Sequence, residues 1–278
     1  NVVKNVSPKD VPFQRSSQLQ GKIVHGNLAQ PKQFYYQALL RSIKGEKASI
    51  CGGSVISINF VLTAAHCTKG YKKIEVGLGS NVLKSQRYHF ITYVKTEHPK
   101  FDPTTLANDI SLVKLPSEIP FSTFIAPVAL PRKSQVIATY SNRHATVSGF
   151  GRQTDNAEHV SENLNFVVMR VIGNSECSNI YGITTLFALE VSKILIKMLV
   201  SEVNKAEIFR LKIFYNVSDV YQDSGGPMVI DDDGIPTQIG IVSFVSSRGC
   251  TFGDPSGYTK VGKYLAWISK VAGVPLRN

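Results

Sequence analysis

The chain has 278 residues, 43% of them hydrophobic, enough for one large domain or two small ones with a substantial core. Only 18% are charged, below the globular average of about 25%, and 21 Gly with 13 Pro signal many turns. The formal charge is +11, but the basic residues are scattered without a dense run, so a nucleic-acid partner is not expected, and no apolar stretch is long enough to cross a membrane.

Residues 1–22 are polar and lack an initiator Met, so a secretory signal, if one preceded them, is not within this chain. The sequons Asn5-Val6-Ser7 and Asn216-Val217-Ser218 hint at secretion. Short β-like runs then recur, at Gln37–Ile43, Lys73–Leu78, Ala145–Ser148, Asn165–Ile172 and Gln238–Ser243, rich in Val, Ile, Thr and Phe. Asp231–Gly234 reads as a hairpin turn between Met228–Ile230 and Gln238–Ser243. Leu265, Ile268 and Val271 fall at helical spacing, which predicts a terminal helix over Gly262–Val271. The fold class is therefore all-β with a C-terminal helix, and closed barrels are the natural way to hide the sheet edges. Residues 184–214 break the pattern, since they hold no Gly, Pro or Cys and show an untidy helical rhythm at Leu189, Lys193, Ile196, Lys197 and Val200.

Four cysteines, Cys51, Cys67, Cys177 and Cys250, suit disulfides and fit no zinc module, so no metal or other cofactor is expected. Ser224 lies in Asp223-Ser224-Gly225-Gly226-Pro227. A serine hydroxyl needs an adjacent base, itself held by a carboxylate, and small neighbours let a substrate carbonyl come close. His66, in Leu62-Thr63-Ala64-Ala65-His66-Cys67, and Asp109, heading the run Ile110 to Leu115, are the candidates. All six histidines precede Ser224 and the only Asp before His66 is Asp10 in the polar leader, which leaves the order His, Asp, Ser.

With these motifs stand Ile23-Val24-His25-Gly26, Cys51-Gly52-Gly53-Ser54, Gly149-Phe150-Gly151 and Ser243-Phe244-Val245-Ser246. In order and spacing they resemble the chymotrypsin/trypsin-like serine endopeptidases, nearest the elastase/chymotrypsin-like subgroup. The resemblance covers about residues 23–183 and 218–271. It implies two six-stranded antiparallel β-barrels, about 23–130 and about 131–260, followed by the helix at about 261–271, with the active site between the barrels. It implies a secreted zymogen with a propeptide at 1–22 and a peptidase domain at 23–271. A trypsin-like activating protease would cut after Lys22, and the freed Ile23 ammonium would pair with Asp223. His66, Asp109 and Ser224 would be the catalytic triad, and the amides of Gln222 and Ser224 the oxyanion hole. Ser218, Val245 and Ser256 would form the specificity pocket; with no Asp at its floor and Val245 narrowing it, a small or medium apolar residue is favoured over Lys or Arg. Cys51–Cys67 would be a disulfide. The expected partners are protein and peptide substrates and protein inhibitors, and the expected state is a monomer.

The chain also departs from that family. Val220-Tyr221-Gln222 replaces a Cys-x-Gly, so Cys250 loses its usual partner, as does Cys177, and Gln222 lacks the backbone freedom of glycine. The losses coincide with an atypical segment, 184–219, which lies within an unusually long stretch between Cys177 and Ser224. Three origins remain open for it: translated non-coding sequence, the decay of a catalytically impaired homologue that acts as a binding or regulatory protein, and an insertion in an active enzyme. As plain structure, its apolar stripe would be a surface helix on the second barrel.

Overall fold

A computed structural model describes residues 26–152, 159–173, 193–197 (backbone only), 223–244 and 256–278. Its strands are Asn27–Leu28 (β1), Gln37–Lys44 (β2), Lys47–Ser57 (β3), Phe60–Thr63 (β4), Lys73–Leu78 (β5), Tyr88–Thr92 (β6), Lys95–Glu97 (β7), Ser111–Lys114 (β8), His144–Gly149 (β9), Asn165–Ile172 (β10), Lys193–Lys197 (β11), Pro227–Asp232 (β12), Ile235–Phe244 (β13) and Ser256–Lys260 (β14). A short 3-10 turn at Val261–Tyr264 leads into the helix Leu265–Ala272 (α1).

The strands form two curled antiparallel sheets, β6-β5-β2-β3-β4-β8-β7 and β1-β10-β11-β14-β13-β12-β9. In the first, β6 and β7 are one strand bent at Tyr93–Val94. It pairs with β5 before the bend and with β8 after it, and Lys114 N–H donates to Val94 O (3.0 Å) at the corner. The sheet thus rolls up as six strands. In the second, β9 also pairs with β10, which again closes six strands, while the two-residue β1 sits on the free start of β10. The expected architecture of two six-stranded curled sheets and a terminal helix is present.

Alternation builds the interiors. On β2, Ala38 and Leu40 point inward, and on β5, Ile74, Val76 and Leu78 do so, each within about one percent of full burial. The core continues across the sheets through Phe166, Val229 and Ile241 to Leu265 and Ile268 of α1. The helix stops at Gly273, whose φ of 68° and N–H to Ser269 O (2.9 Å) make a left-handed cap.

Two local expectations are corrected. The hairpin between β12 and β13 has a two-residue turn, because the strands run on to Asp232 and Ile235; Asp233 (φ 57°) and Gly234 (φ 80°) both take the left-handed conformation such a tight turn needs. Within the atypical segment, residues 193–197 are a strand and not part of a helix. Lys193-Ile194-Leu195-Ile196-Lys197 pairs with β10 on one side (Val171↔Ile196) and β14 on the other (Ile194↔Tyr258). Two open edges flank that slot, and paired backbone there outweighs the weak helical rhythm.

The sheets are joined by buried polar pairs as well as apolar contact. Ser54 Oγ of β3 donates to Gln238 Oε1 of β13 (2.5 Å), and Ser148 Oγ of β9 donates to Gln37 Oε1 of β2 (2.7 Å). An unpaired buried polar group costs about 1–3 kcal/mol. Ser54→Ala should therefore lower stability by about that amount, and Ser54→Ala with Gln238→Leu should recover part of the loss, read from urea midpoints. Additive losses in the double variant would show that the pair does not couple.

Candidate active site

His66 follows β4 in a one-turn 3-10 helix, Ala65–Cys67, that the Cys51–Cys67 disulfide ties to β3. Asp109 precedes β8. It is tipped inward by Asn108, whose φ of 55° is tolerated by Asn and whose side chain is fixed by donating to Lys100 O (2.8 Å) and accepting from Tyr264 OH (3.1 Å). The Asp109 carboxylate is fully enclosed. Its Oδ1 accepts from His66 N–H (2.9 Å), and its Oδ2 accepts from His66 Nδ1 (2.8 Å) and from Ser243 Oγ (2.7 Å). Burial pushes this carboxyl up, but the facing His66 ring and these hydrogen bonds outweigh it and hold it below the usual carboxylate range. An ionised acceptor keeps the proton on Nδ1 and turns Nε2 into the basic atom.

Ser224 stands in the turn Asp223–Gly225 ahead of β12. Gly226 N–H donates to Asp223 O (2.8 Å) and Gly225 N–H to Val242 O (2.8 Å). Gly225 has a φ of 80°, and a Cβ there would lie 2.2 Å from Thr63 Oγ1 and 2.6 Å from Gly52 O. Only glycine fits. Gly52 N–H in turn donates to Ser224 O (2.8 Å), so the serine is anchored to the sheet that carries the histidine. Cys67 Sγ lies 3.5 Å from Ser224 O and 3.6 Å from His66 Nε2. The structure thus brings His66, Asp109 and Ser224 to one seam between the sheets.

Asp223 points away from this seam. Its carboxylate is held between Gly149 and Gly151, where added Cβ atoms would sit 2.0 and 2.3 Å from its oxygens, although the residue as a whole keeps some exposed surface. Among the described residues its carboxylate accepts one hydrogen bond, from Gly151 N–H (2.6 Å). Burial pushes its pKa from 3.8 to about 6, against the modest lowering by that N–H.

Ser256 opens β14, with its Oγ bonded to Tyr258 OH (3.0 Å), and the Phe244 ring lies against Gly257 beside it. Lys22, Ile23, Gln222, Ser218, Val245, Cys177 and Cys250 lie outside the described residues. Among the described residues, the group of three close enough to hold a metal is Cys51, His66 and Cys67, within 4.8 Å of one another, but its two sulfurs are joined and offer no thiolates. Three supporting contacts escaped the sequence reading, which noted Ser243 and Thr63 only as members of motifs. Ser243 and Thr259, whose Oγ1 donates to Asp109 O (2.8 Å), fix the acid from the other sheet, and Thr63 donates to Gly52 O (2.8 Å) beneath the serine turn. Their signal is long-range pairing, which one sequence does not display.

The burial of the Asp223 carboxyl, opposed among the described residues by one N–H, sets a pH dependence. Between about 3.8 and about 6 the folded chain holds a proton that the unfolded chain has released, so stability falls as pH rises through that window. The expected loss in the uncleaved chain is about 2 kcal/mol between pH 4 and pH 7, and Asp223→Asn should flatten it. Urea midpoints against pH check this; parallel curves for the two proteins would exclude Asp223 as the source.

The trypsin family model matches residues 23–268. A collagenase of Hypoderma lineatum is 32% identical over 262 residues, 92% of this chain and 89% of its own length. A chymotrypsin of Phaedon cochleariae is 32% identical over 250 residues, 89% of this chain and 81% of its own. The solved structure of HL collagenase aligns with a TM-score of 0.77 at 30% identity, covering 91% of this chain and all of that one.

Proposed function

The chain belongs to the trypsin family of serine proteases, and on that footing we propose that it is the secreted precursor of a serine endopeptidase with His66, Asp109 and Ser224 as its triad. The observation that carries this is the grip of the buried Asp109 carboxylate on both the backbone N–H and Nδ1 of His66, at 2.9 and 2.8 Å, next to a serine presented on a glycine turn.

Ser224 Oγ attacks the scissile carbonyl carbon while His66 Nε2 takes its proton. The amides of Gln222 and Ser224 hold the oxyanion, the C–N bond breaks, and the amine leaves with the proton from His66. Water then attacks the acyl ester, again deprotonated by His66, which frees the acid and restores Ser224. Asp109 stays ionised throughout and orients the ring. A cut after Lys22 activates the chain by supplying an Ile23 ammonium to the enclosed Asp223; the start of the family match at residue 23 supports that boundary. A pocket without an acidic floor supports elastase- or chymotrypsin-like preference, which agrees with relatives named as a chymotrypsin and a collagenase.

After cleavage at Lys22, a serine-directed phosphonate should form an adduct on Ser224, detected by peptide mass spectrometry. Asp109→Asn should lower kcat by about 10⁴-fold, because the amide favours the wrong tautomer of His66. An unmodified Ser224 in the cleaved chain would instead support the catalytically impaired homologue.

A further inference from the structure

Beyond the triad, a cluster of exposed lysines lies just past His66. The hairpin turn between β2 and β3 pairs Lys44 with Lys47, and the loop after His66 carries Lys69 and Lys72. The two meet: Ile43 pairs with Lys73 in the ladder of β2 and β5, and a Cβ on Gly70 would lie 4.0 Å from Lys44 Nζ. Neighbouring cations are neutralised. Glu75 takes Arg41 (3.0 Å) and Lys73 (2.7 Å), and Glu97 takes Lys95. Lys44, Lys47, Lys69 and Lys72 are exposed and, among the described residues, have no carboxylate partner; Glu46 at the turn is the one acid left beside them.

This cluster is tied to the nucleophile. Ser42 Oγ, two residues before Lys44, donates to Cys67 O (2.7 Å), and Cys67 Sγ touches Ser224 O. On the proposed peptidase reading, the substrate before the scissile bond lies along the end of β13, where Ser243 sits, by strand addition. The chain after the scissile bond then leaves across the opposite side of Ser224, over the Cys51–Cys67 disulfide and toward the four lysines. We propose that Lys44, Lys47, Lys69 and Lys72 form a specificity subsite that selects substrates with Asp or Glu on the leaving-group side of the scissile bond. The inference rests on the peptidase reading and adds to it a substrate class set by a region other than the pocket. Four like charges with one counter-charge raise the local concentration of acidic segments and bind them through exposed, salt-sensitive pairs.

The test uses quenched-fluorescence peptides identical up to the scissile bond, with Glu, Gln or Lys at the positions after it. The cleaved chain should show kcat/KM for the Glu peptide roughly three- to tenfold above the Gln peptide, as a few exposed ion pairs supply, and the ratio should shrink in high salt. In the combined variant Lys44→Gln, Lys47→Gln, Lys69→Gln, Lys72→Gln the ratio should fall to about one. A wild-type ratio of one, or a preference that survives in the variant, overturns the subsite. Fluorescence anisotropy of the same peptides on Ser224→Ala gives the ordering without turnover. Equal affinities there overturn the subsite, whereas a Glu preference in binding with no hydrolysis by the parent chain keeps it and instead fails the peptidase reading. Heparin, a sulfated polysaccharide, supplies the last arm: a variant that elutes earlier from heparin yet keeps its Glu preference shows a polyanion site in place of a substrate subsite.

Discussion

At Ser224 the two sheets bring their backbones closer than side chains would permit. A Cβ on Gly52 would lie 2.8 Å from Gly226 Cα, and one on Gly225 would lie 2.6 Å from Gly52 O. The absence of side chains at these positions lets Gly52 N–H reach Ser224 O at 2.8 Å and fixes the serine against the sheet that holds His66. A serine on a flexible loop would have to be positioned anew in each encounter. Here the position is fixed by ladder-like hydrogen bonds from both sides, Gly225 to Val242 and Gly52 to Ser224, which is the kind of preorganisation catalysis needs. The Ser54–Gln238 and Ser148–Gln37 pairs extend the same seam into the core, so the cleft is continuous with the structure that folds it.

Two enclosed carboxylates flank this seam and are treated oppositely. Asp109 is buried with a ring N–H, a backbone N–H and a hydroxyl directed at it, and it titrates low. Asp223 is enclosed by glycines with, among the described residues, one N–H directed at it, and is pushed up to about 6. Burial raises both; the difference is the His66 ring facing Asp109 and, after it, the supply of donors. Asp109 is therefore a completed electrostatic site, whereas Asp223, among the described residues, has no cation beside it. That asymmetry is consistent with the proposed activation at Lys22, since a buried charge lacking its partner destabilises the state that contains it.

Much of this was legible in the sequence because its causes are local. The triad candidates could be chosen from chain order and from the small residues around Ser224, and β5 and β10 from runs of β-branched residues whose limits the structure keeps, Lys73–Leu78 and Asn165–Ile172. The hairpin at Asp233-Gly234 was legible as a turn but not in its length, because the strand ends are set by cross-strand pairing. What local pattern could not supply was partnership across the fold. Ser243 and Thr259 reach Asp109 over separations of 134 and 150 residues. Lys193–Lys197 fits helix or strand by its own composition, and only the open edges of β10 and β14 decide between them.

That strand bears on the odd stretch before Ser224. β10 and β14 have no ladder to each other, and β11 pairs with both, so it completes the circuit from β9 through β14 back to β9. Without paired backbone in that slot, the start of β14, where Ser256 sits, would carry a bare edge. A segment unrelated to the rest in composition thus occupies a position that the barrel needs filled. The physical demand at the slot is for a short run of extended backbone and not for particular side chains, which is why a Lys- and Ile-rich sequence can satisfy it. What the family resemblance expects of that stretch beyond backbone is two cysteine partners and a glycine where Gln222 stands. The cysteines would add disulfide stability, and the glycine would ease the proposed oxyanion hole.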